Sequence, residues 1–324
     1  MKAVVYEKYG PPDVLQFKEV EKPKPRENEV LVKVHAVSIN DWDWGLLNGD
    51  SLVNRLINGL LKPKRKILGS DIAGVVEEVG KDAKRFNRGD EVFGDLSGKW
   101  GGFAEYVCAP ENMLAIKSPN MTFEEAAAIP QAGMLAVQGL IDKGHIKKGK
   151  KVLINGAGGG VGTIGVQIAK QYGVEITGVD NTDKLELMRL LGFDNVIDFT
   201  KEDFTQNSRG YDLILDVKTN RSIFKYAGAL KSNGIYVTVG GSTVRLLQAL
   251  LFKSWIKLIN KKNISIVALK QNKDLGYMTE LFESGKLKPV IDGSFKLEEV
   301  PKALKMFGKG EHKGKLVITI EHKN

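Results

Sequence analysis

The stretch from Lys151 to Gly173, KVLINGAGGGVGTIGVQIAKQYG, constrains this chain more than any other. A short β-branched run enters a glycine-rich turn, and the turn opens directly into a helix pattern. Without β-carbons, a loop of this kind lets a pyrophosphate approach the N–H groups at the start of the helix. A lone GxGxxG is a weak signal, but one between a buried strand and a helix is much stronger. Two registers fit: a literal GxGxxG at Gly160–Gly165, and AxGxxG at Ala157–Gly162. The second is preferred, because it puts Gly162 at the start of the helix and leaves Gly165 facing the sheet. Gly159, Gly160, Val161 and Gly162 then form the cradle of a dinucleotide. Asp180 ends the next strand, VEITGVD, 18 residues beyond Gly162. An acid there accepts hydrogen bonds from the adenosine ribose and repels a 2′-phosphate, whereas Lys184 attracts one. The cofactor is therefore read as NAD(P)H, leaning towards NAD(H).

The texture of the sequence changes along the chain. EVLVKVHAV (29–37) alternates like a half-buried strand, and LGSDIAGVVEEVG and RGDEVFG are short glycine-punctuated runs that suit an antiparallel barrel. TFEEAAAIPQAG opens on a capping box, Thr122 with Glu125. From Lys151, continuous apolar strands alternate with amphipathic helices, which specifies a doubly wound parallel sheet. GIYVTVGG closes one of these strands with Gly240 and Gly241, which are also assigned to the cofactor. After about residue 270 the alternation stops, and VIDGSFKL and KLVITI are expected to pair back with the first domain. The fold class is thus α/β, with residues 123–270 as the cofactor domain inserted in a mainly antiparallel barrel of residues 1–122 and 271–324.

Composition narrows the alternatives. The chain has 324 residues, 42% hydrophobic, and no apolar run near the roughly 20 residues of a bilayer span. The start MKAVVYEKYG lacks the pattern of a secretory signal. Cys108 is the single cysteine, so no disulfide can form within the chain and a cytoplasmic location is expected. The formal charge of +9 is spread along the sequence, with KPKRK (62–66) and KLINKK (257–262) as short clusters lacking interleaved aromatics. That pattern argues against nucleic acid and for a solvated face or a basic approach for an anionic cofactor. VRLLQALLFKSWIKLINKK (244–262) reads as a buried helix plus a loop; an interfacial helix is the alternative. In SLVNRLINGLLKPKRKILG (51–69), leucines at helical spacing fit a lid over an apolar substrate or a buried helix.

GSDIAGVVEEVG, GGFAEYV (101–107), EEAAAIPQAG and INGAGGGVGTIGVQIAK occur here in the order found in quinone oxidoreductase-like medium-chain dehydrogenases/reductases, and the resemblance runs from MKAVVY to HKGKLVITI. It implies a GroES-like catalytic domain, a Rossmann cofactor domain, an active site in the cleft between them, and a homodimer paired through the cofactor domain. Zinc-containing members hold their metal with a Cys, a His-Glu pair and a further ligand. The matching positions here are Asn40 and Gly69-Ser70-Asp71, and the four-cysteine structural lobe is missing. A metal-free site is expected, since zinc requires Cys, His or carboxylate ligands. His35, His145, His312 and His322 have no ligand-like spacing and are expected on the surface or in strands.

The resemblance further implies reduction of a quinone or an α,β-unsaturated carbonyl, because a metal-free site lacks the Lewis acid of alcohol dehydrogenation. Asn40 resembles the family's substrate-side asparagine, whose amide donates to the developing oxygen. Asp43 matches an aspartate nearby and is read as orienting it. Leu135 stands where many relatives place a threonine against the nicotinamide. Trp42 and Trp44 are read as pocket walls or core packing. Asp41 and Gly45 replace a proline and a tyrosine of the family pattern, so no proton donor is assigned. The rival reading is a non-catalytic relative that binds the dinucleotide or a lipid and acts through a membrane or protein contact.

Overall fold

The structure is a computed structural model and describes residues 1–206 and 210–322. In chain order the first elements are β1 (Lys2–Val5), β2 (Gln16–Glu19), β3 (Glu29–Ser38), α1 (Asp41–Asn48), α2 (Leu52–Asn58), β4 (Asp71–Val79), β5 (Glu91–Asp95), β6 (Tyr106–Pro110), β7 (Ala115–Ile116) and α3 (Phe123–Ala128). Next come α4 (Pro130–Val137), β8 (Lys151–Asn155), α5 (Gly160–Lys170), β9 (Glu175–Asp180), α6 (Leu185–Leu191), β10 (Asn195–Asp198), β11 (Tyr211–Asp216), α7 (Ile223–Ala229), β12 (Leu230–Thr238), α8 (Thr243–Asn260) and β13 (Asn263–Ile266). The chain ends with α9 (Leu275–Glu283), β14 (Ile291–Lys296), α10 (Val300–Lys309) and β15 (Lys315–Thr319).

Two compact units result: Met1–Gln131 with Gln271–Glu283 and Ile291–Asn324, and Ala132–Lys270 with Ser284–Val290. Sequence texture placed the first division after residue 122. In the structure the capping-box helix α3 stays with the first unit because it packs on β3 and β4. Its box is formed as the sequence reads, with the Glu125 N–H donating to Thr122 Oγ1 at 3.1 Å and the Thr122 N–H to Glu125 Oε2 at 3.0 Å.

The first unit is built on a sheet of order β14-β15-β3-β4-β5-β7, with β6 also paired to β3. All its pairings are antiparallel except β14 with β15. The late strand β15 thus returns to β3, as the pattern of KLVITI predicted. β3 alternates less in burial than in sequence and is buried along most of its length. One face lies in the apolar core and α3 covers part of the other. Trp44 is partly buried, packs against this core and lies against Gly308 of α10, whereas Trp42 is exposed.

The second unit holds a fully parallel sheet of order β10-β9-β8-β11-β12-β13. The chain winds outward from β8 through β9 to β10, then restarts on the other side of β8 at β11. That reversal puts the switch point beside the carboxyl ends of β8 and β11, where ligands bind in sheets of this kind. Two sequence expectations fail on the surface. α8 is one continuous 18-residue helix with most of its large apolar side chains exposed, not a buried helix plus a loop. In the 51–69 segment, Leu52, Leu56, Leu60 and Leu61 are likewise exposed, which removes the buried-helix reading.

Candidate functional site

In the second unit, β8 runs into the glycine loop and α5 begins at Gly160, with Gly159 as its cap. The first N–H groups of a helix lack intrahelical acceptors, so those of Gly160, Val161 and Gly162 remain available to an anion. The three glycines of the motif differ physically. A β-carbon on Gly162 would lie 2.5 Å from the Ala157 Cα and from the carbonyl oxygens of Gly156 and Ala157, so the loop's own backbone excludes it. On Gly165 it would meet the Ile154 Cδ1 at 3.3 Å, which puts Gly165 against the sheet. On Gly159 it would meet only the Gly156 carbonyl oxygen at 3.6 Å, so the space over Gly159 is open. This is a cradle that a side chain would fill, and a pyrophosphate fits the chemistry it offers.

Asp180, at the end of β9, turns its carboxylate back into this loop. Oδ2 accepts from the Gly158 N–H at 2.9 Å and Oδ1 from the Asn181 N–H at 3.0 Å, while Lys184 Nζ lies 3.6 Å from Oδ1. Both side chains are buried. The stem of Lys184 covers Gly158 so closely that a β-carbon there would lie 2.6 Å from the Lys184 Cδ. The pair neutralises itself and holds the loop. Leu135 on α4 is half-buried among buried neighbours. Gly240 is open on its β-carbon side, and Gly241 has a φ of 107° that only glycine adopts at low cost.

In the first unit, Asn40 caps α1 and is nearly buried. Its backbone N–H donates to Asp43 Oδ2 at 2.9 Å, and Asp43 Oδ1 accepts from the Gly69 N–H at 2.9 Å. Asp43 therefore ties the start of α1 to the residues ahead of β4, and burial pushes its carboxyl up to about 7. The Asn40 side chain lies between two partners. Nδ2 donates to Ser70 Oγ at 3.3 Å, and Oδ1 accepts from Lys315 Nζ at 2.5 Å.

The site also holds Lys315 and Asp95, which no sequence motif marks. The signal for Lys315 was a charged residue opening an apolar strand, since lysine is almost never fully buried without partners. Its ammonium also donates to the Ile39 carbonyl at 2.9 Å and lies 3.9 Å from Asp71 Oδ2. Burial pushes the Lys315 pKa down, opposed by Asp71, Asp43, Asp41 and Asp95. Asp71 and Asp95 stand opposite each other across β4 and β5. Asp71 Oδ2 accepts from the Gln131 N–H at 3.1 Å and from Ser38 Oγ at 3.4 Å, and Asp95 Oδ1 accepts from the Ser97 N–H at 2.8 Å. Among the described residues, Asp71 Oδ1 and Asp95 Oδ2 have no partner. Burial raises the pKa of both, and that of Asp71 is raised further by the facing Asp95.

A carboxyl whose folded pKa is raised keeps its proton while the unfolded chain, at about 3.9, loses it. Stability is therefore complete at low pH and declines as pH rises from the ordinary carboxylate range through the raised folded value. Asp71→Asn carries hydrogens permanently and puts one end of its amide at the oxygen that lacks a partner. Thermal unfolding from pH 5 to 8 should show this variant losing roughly 1–2 kcal/mol less stability than the parent chain. Parallel curves would mean that Asp71 does not hold a proton.

The zinc positions of the family are occupied here by Asn40 and by Gly69-Ser70-Asp71. Asn40, Ser70 and Asp71 supply one carboxylate and two neutral oxygens, and the Lys315 ammonium already sits against Asn40. This set does not fit zinc, which takes Cys, His or carboxylate ligands and would meet a fixed positive charge here. The histidines lie in other settings: His35 stacks on Phe123, His312 on Phe307, and His322 bonds the Val34 carbonyl.

Comparison with known proteins agrees with this geometry. The alcohol dehydrogenase GroES-like domain family matches residues 26–120, and the family described as zinc-binding dehydrogenase matches residues 191–318. The chain is 34% identical to the 2-methylene-furan-3-one reductase of Solanum lycopersicum, over 98% of this chain and 79% of that protein. It is 32% identical to the NADPH-dependent alkenal/one oxidoreductase, chloroplastic, of Arabidopsis thaliana, over the same shares of the two chains. Among solved structures, the quinone oxidoreductase from Coxiella burnetii superposes with a TM-score of 0.87 at 30% identity, covering 99% of both chains. The chain thus belongs to the medium-chain dehydrogenases/reductases, in the zinc-independent branch that holds the quinone oxidoreductases.

Proposed function

We propose that this protein is an NAD(P)H-dependent reductase of quinones or α,β-unsaturated carbonyl compounds, with Lys315 and Asn40 supplying the positive charge and the hydrogen bond that a metal gives elsewhere. The observation that carries the reading is the buried ammonium against Asn40 Oδ1. When bound, the nicotinamide supplies the hydride. The protein's own part is to stabilise the negative charge that develops on the acceptor oxygen. Asn40 Nδ2 donates towards that oxygen, and the ammonium on the other end of the same amide polarises it and strengthens the donor. Asp43 keeps the Asn40 backbone in register. The relatives named for alkenal/one, furanone and quinone substrates support this substrate class. The test is the rate of NADH and NADPH oxidation with a panel of quinones and enones in the presence of a zinc chelator. Chelator-insensitive turnover is expected; cofactor binding with no turnover across the panel would favour the non-catalytic alternative.

The cofactor would be held by the backbone of Gly159, Gly160, Val161 and Gly162, by Gly240 and Gly241, and against Leu135. For Asp180 the geometry favours anchoring the loop over reading the ribose, because both oxygens already accept backbone N–H groups. Asp180→Ser is then expected to raise the KM of NADH and NADPH together, by about tenfold, through loss of two charge-assisted hydrogen bonds. A change in the NADH/NADPH ratio with one KM unaltered would restore the ribose-reading role.

A cytoplasmic location and a homodimer belong to the same proposal. The lone Cys108 supports a reducing compartment. The outer position of β13 in the six-stranded sheet supports pairing with a second copy at that edge.

A further inference from the structure

We infer that the outward face of α8 is a docking surface for an anionic lipid bilayer. The helix has three distinct sides. Ala249 and Ile256, seven residues apart, are its buried side. Val244, Leu247, Leu251 and Leu258 recur at helical spacing on the opposite side and are 72%, 55%, 68% and 81% exposed. Lys253 and Lys257, one turn apart, lie between the buried side and this stripe, and neither makes an ion pair among the described residues. At one margin Phe224, Phe252 and Trp255 pack edge to face, with ring centroids 5.2 and 5.9 Å apart, and all three stay partly open to solvent. A contiguous apolar patch of this kind on a surface marks a contact site.

Charge selects the occupant. Residues 243–262 contain Arg245, Lys253, Lys257, Lys261 and Lys262 and no aspartate or glutamate. A second copy docked by two-fold symmetry on the same stripe would set these cations against their own equivalents, with no acidic residue in the helix to meet them. An anionic bilayer complements both features, since its headgroups meet the lysines and its acyl boundary takes the leucines. Tryptophan is suited to the interface between those layers. No helix of the described residues is long and apolar enough to cross a membrane, so α8 lies along the surface. Its 18 residues give a contact of about 27 Å at 1.5 Å per residue. The inference stands independently of the reductase reading.

The experiment is co-sedimentation of the full chain with vesicles of phosphatidylcholine alone and of phosphatidylcholine mixed with phosphatidylglycerol. The chain should partition to the mixed vesicles and stay in the supernatant with the neutral ones. Lys253→Gln with Lys257→Gln should lower the partition coefficient roughly 25-fold, about fivefold per lysine. Leu251→Glu with Leu258→Glu should abolish binding. An unchanged thermal midpoint and cofactor affinity in both variants serve as the folding control. Absence of the parent chain from anionic vesicles, or binding that neither variant reduces, would overturn the inference. A vesicle-indifferent dimer that Leu251→Glu with Leu258→Glu splits into monomers would assign the face to a second copy instead.

Discussion

Replacing Lys315 with methionine is expected to lower kcat about 10- to 100-fold for an enone acceptor while leaving the KM of the cofactor unchanged. The range reflects loss of one stabilising contribution to a developing oxyanion, where direct donors are worth on the order of 10²–10³. Lys315 acts through Asn40, because its ammonium meets the Oδ1 end of that side chain. A double-mutant cycle tests the route: Lys315→Met should cost much less turnover when Asn40 is already alanine than when it is present. Full additivity would separate the two residues, and unchanged turnover in Lys315→Met would leave the ammonium with a purely structural part. The stability readout has a definite sign. Methionine keeps most of the volume but removes the positive charge that lowers the pKa values of Asp71 and Asp95, so both rise further. The cost of the substitution should therefore widen as pH rises past about 8, where Asp71 of the parent chain ionises and that of the variant keeps its proton. Breaking a buried pair typically costs about 3–5 kcal/mol. Protonation of the carboxyl pair should hold the loss at the lower end of that range near pH 5.5.

The sequence made the cofactor domain legible because its constraints are local. A parallel strand buried on both faces must be continuously apolar, and a phosphate loop must be glycine-rich where it turns, so KVLIN and GAGGGVG declare themselves within a dozen residues. The first unit is different. Its strands pair residues far apart in sequence, as β15 does with β3, so no local window shows that Lys315 would meet Asn40. Ser70 and Asp71 stand at metal-ligand positions and are visible for that reason, whereas a lysine is not a metal ligand. Asp180 shows a second limit. Its position at the end of β9 was evident from spacing, but spacing does not tell which way a carboxylate turns, and here it turns into the loop. For α8 the 3.6-residue periodicity was present, but a helix with apolar residues on two sides does not declare which side the fold buries.

The glycine loop gives the sharpest separation of roles. Gly162→Val is expected to abolish measurable cofactor binding and to lower stability by more than the ~1–3 kcal/mol typical of overpacking. A β-carbon there meets three backbone atoms at 2.5 Å, and backbone has no rotamer with which to withdraw. Two neighbouring glycines should respond differently to alanine. At Gly165 the new methyl group meets a flexible isoleucine end at 3.3 Å, so Gly165→Ala should fold with a small loss and bind cofactor nearly as before. At Gly159 the backbone is extended, with φ −89° and ψ −178°, and the space above it is free within the chain. Gly159→Ala should then leave the thermal midpoint unchanged and weaken NADPH binding by at least about tenfold, because the methyl group takes the place of a phosphate oxygen over the helix N-terminus. Fluorescence titration with NADPH, beside thermal unfolding, reads both quantities for all three variants. Loss of affinity without loss of stability at Gly159, joined to loss of both at Gly162, would fix the AxGxxG register at Ala157–Gly162. Strong cofactor loss at Gly165 with none at Gly159 would move the cradle to Gly160–Gly165 and require the phosphate to sit where the helix now packs on the sheet.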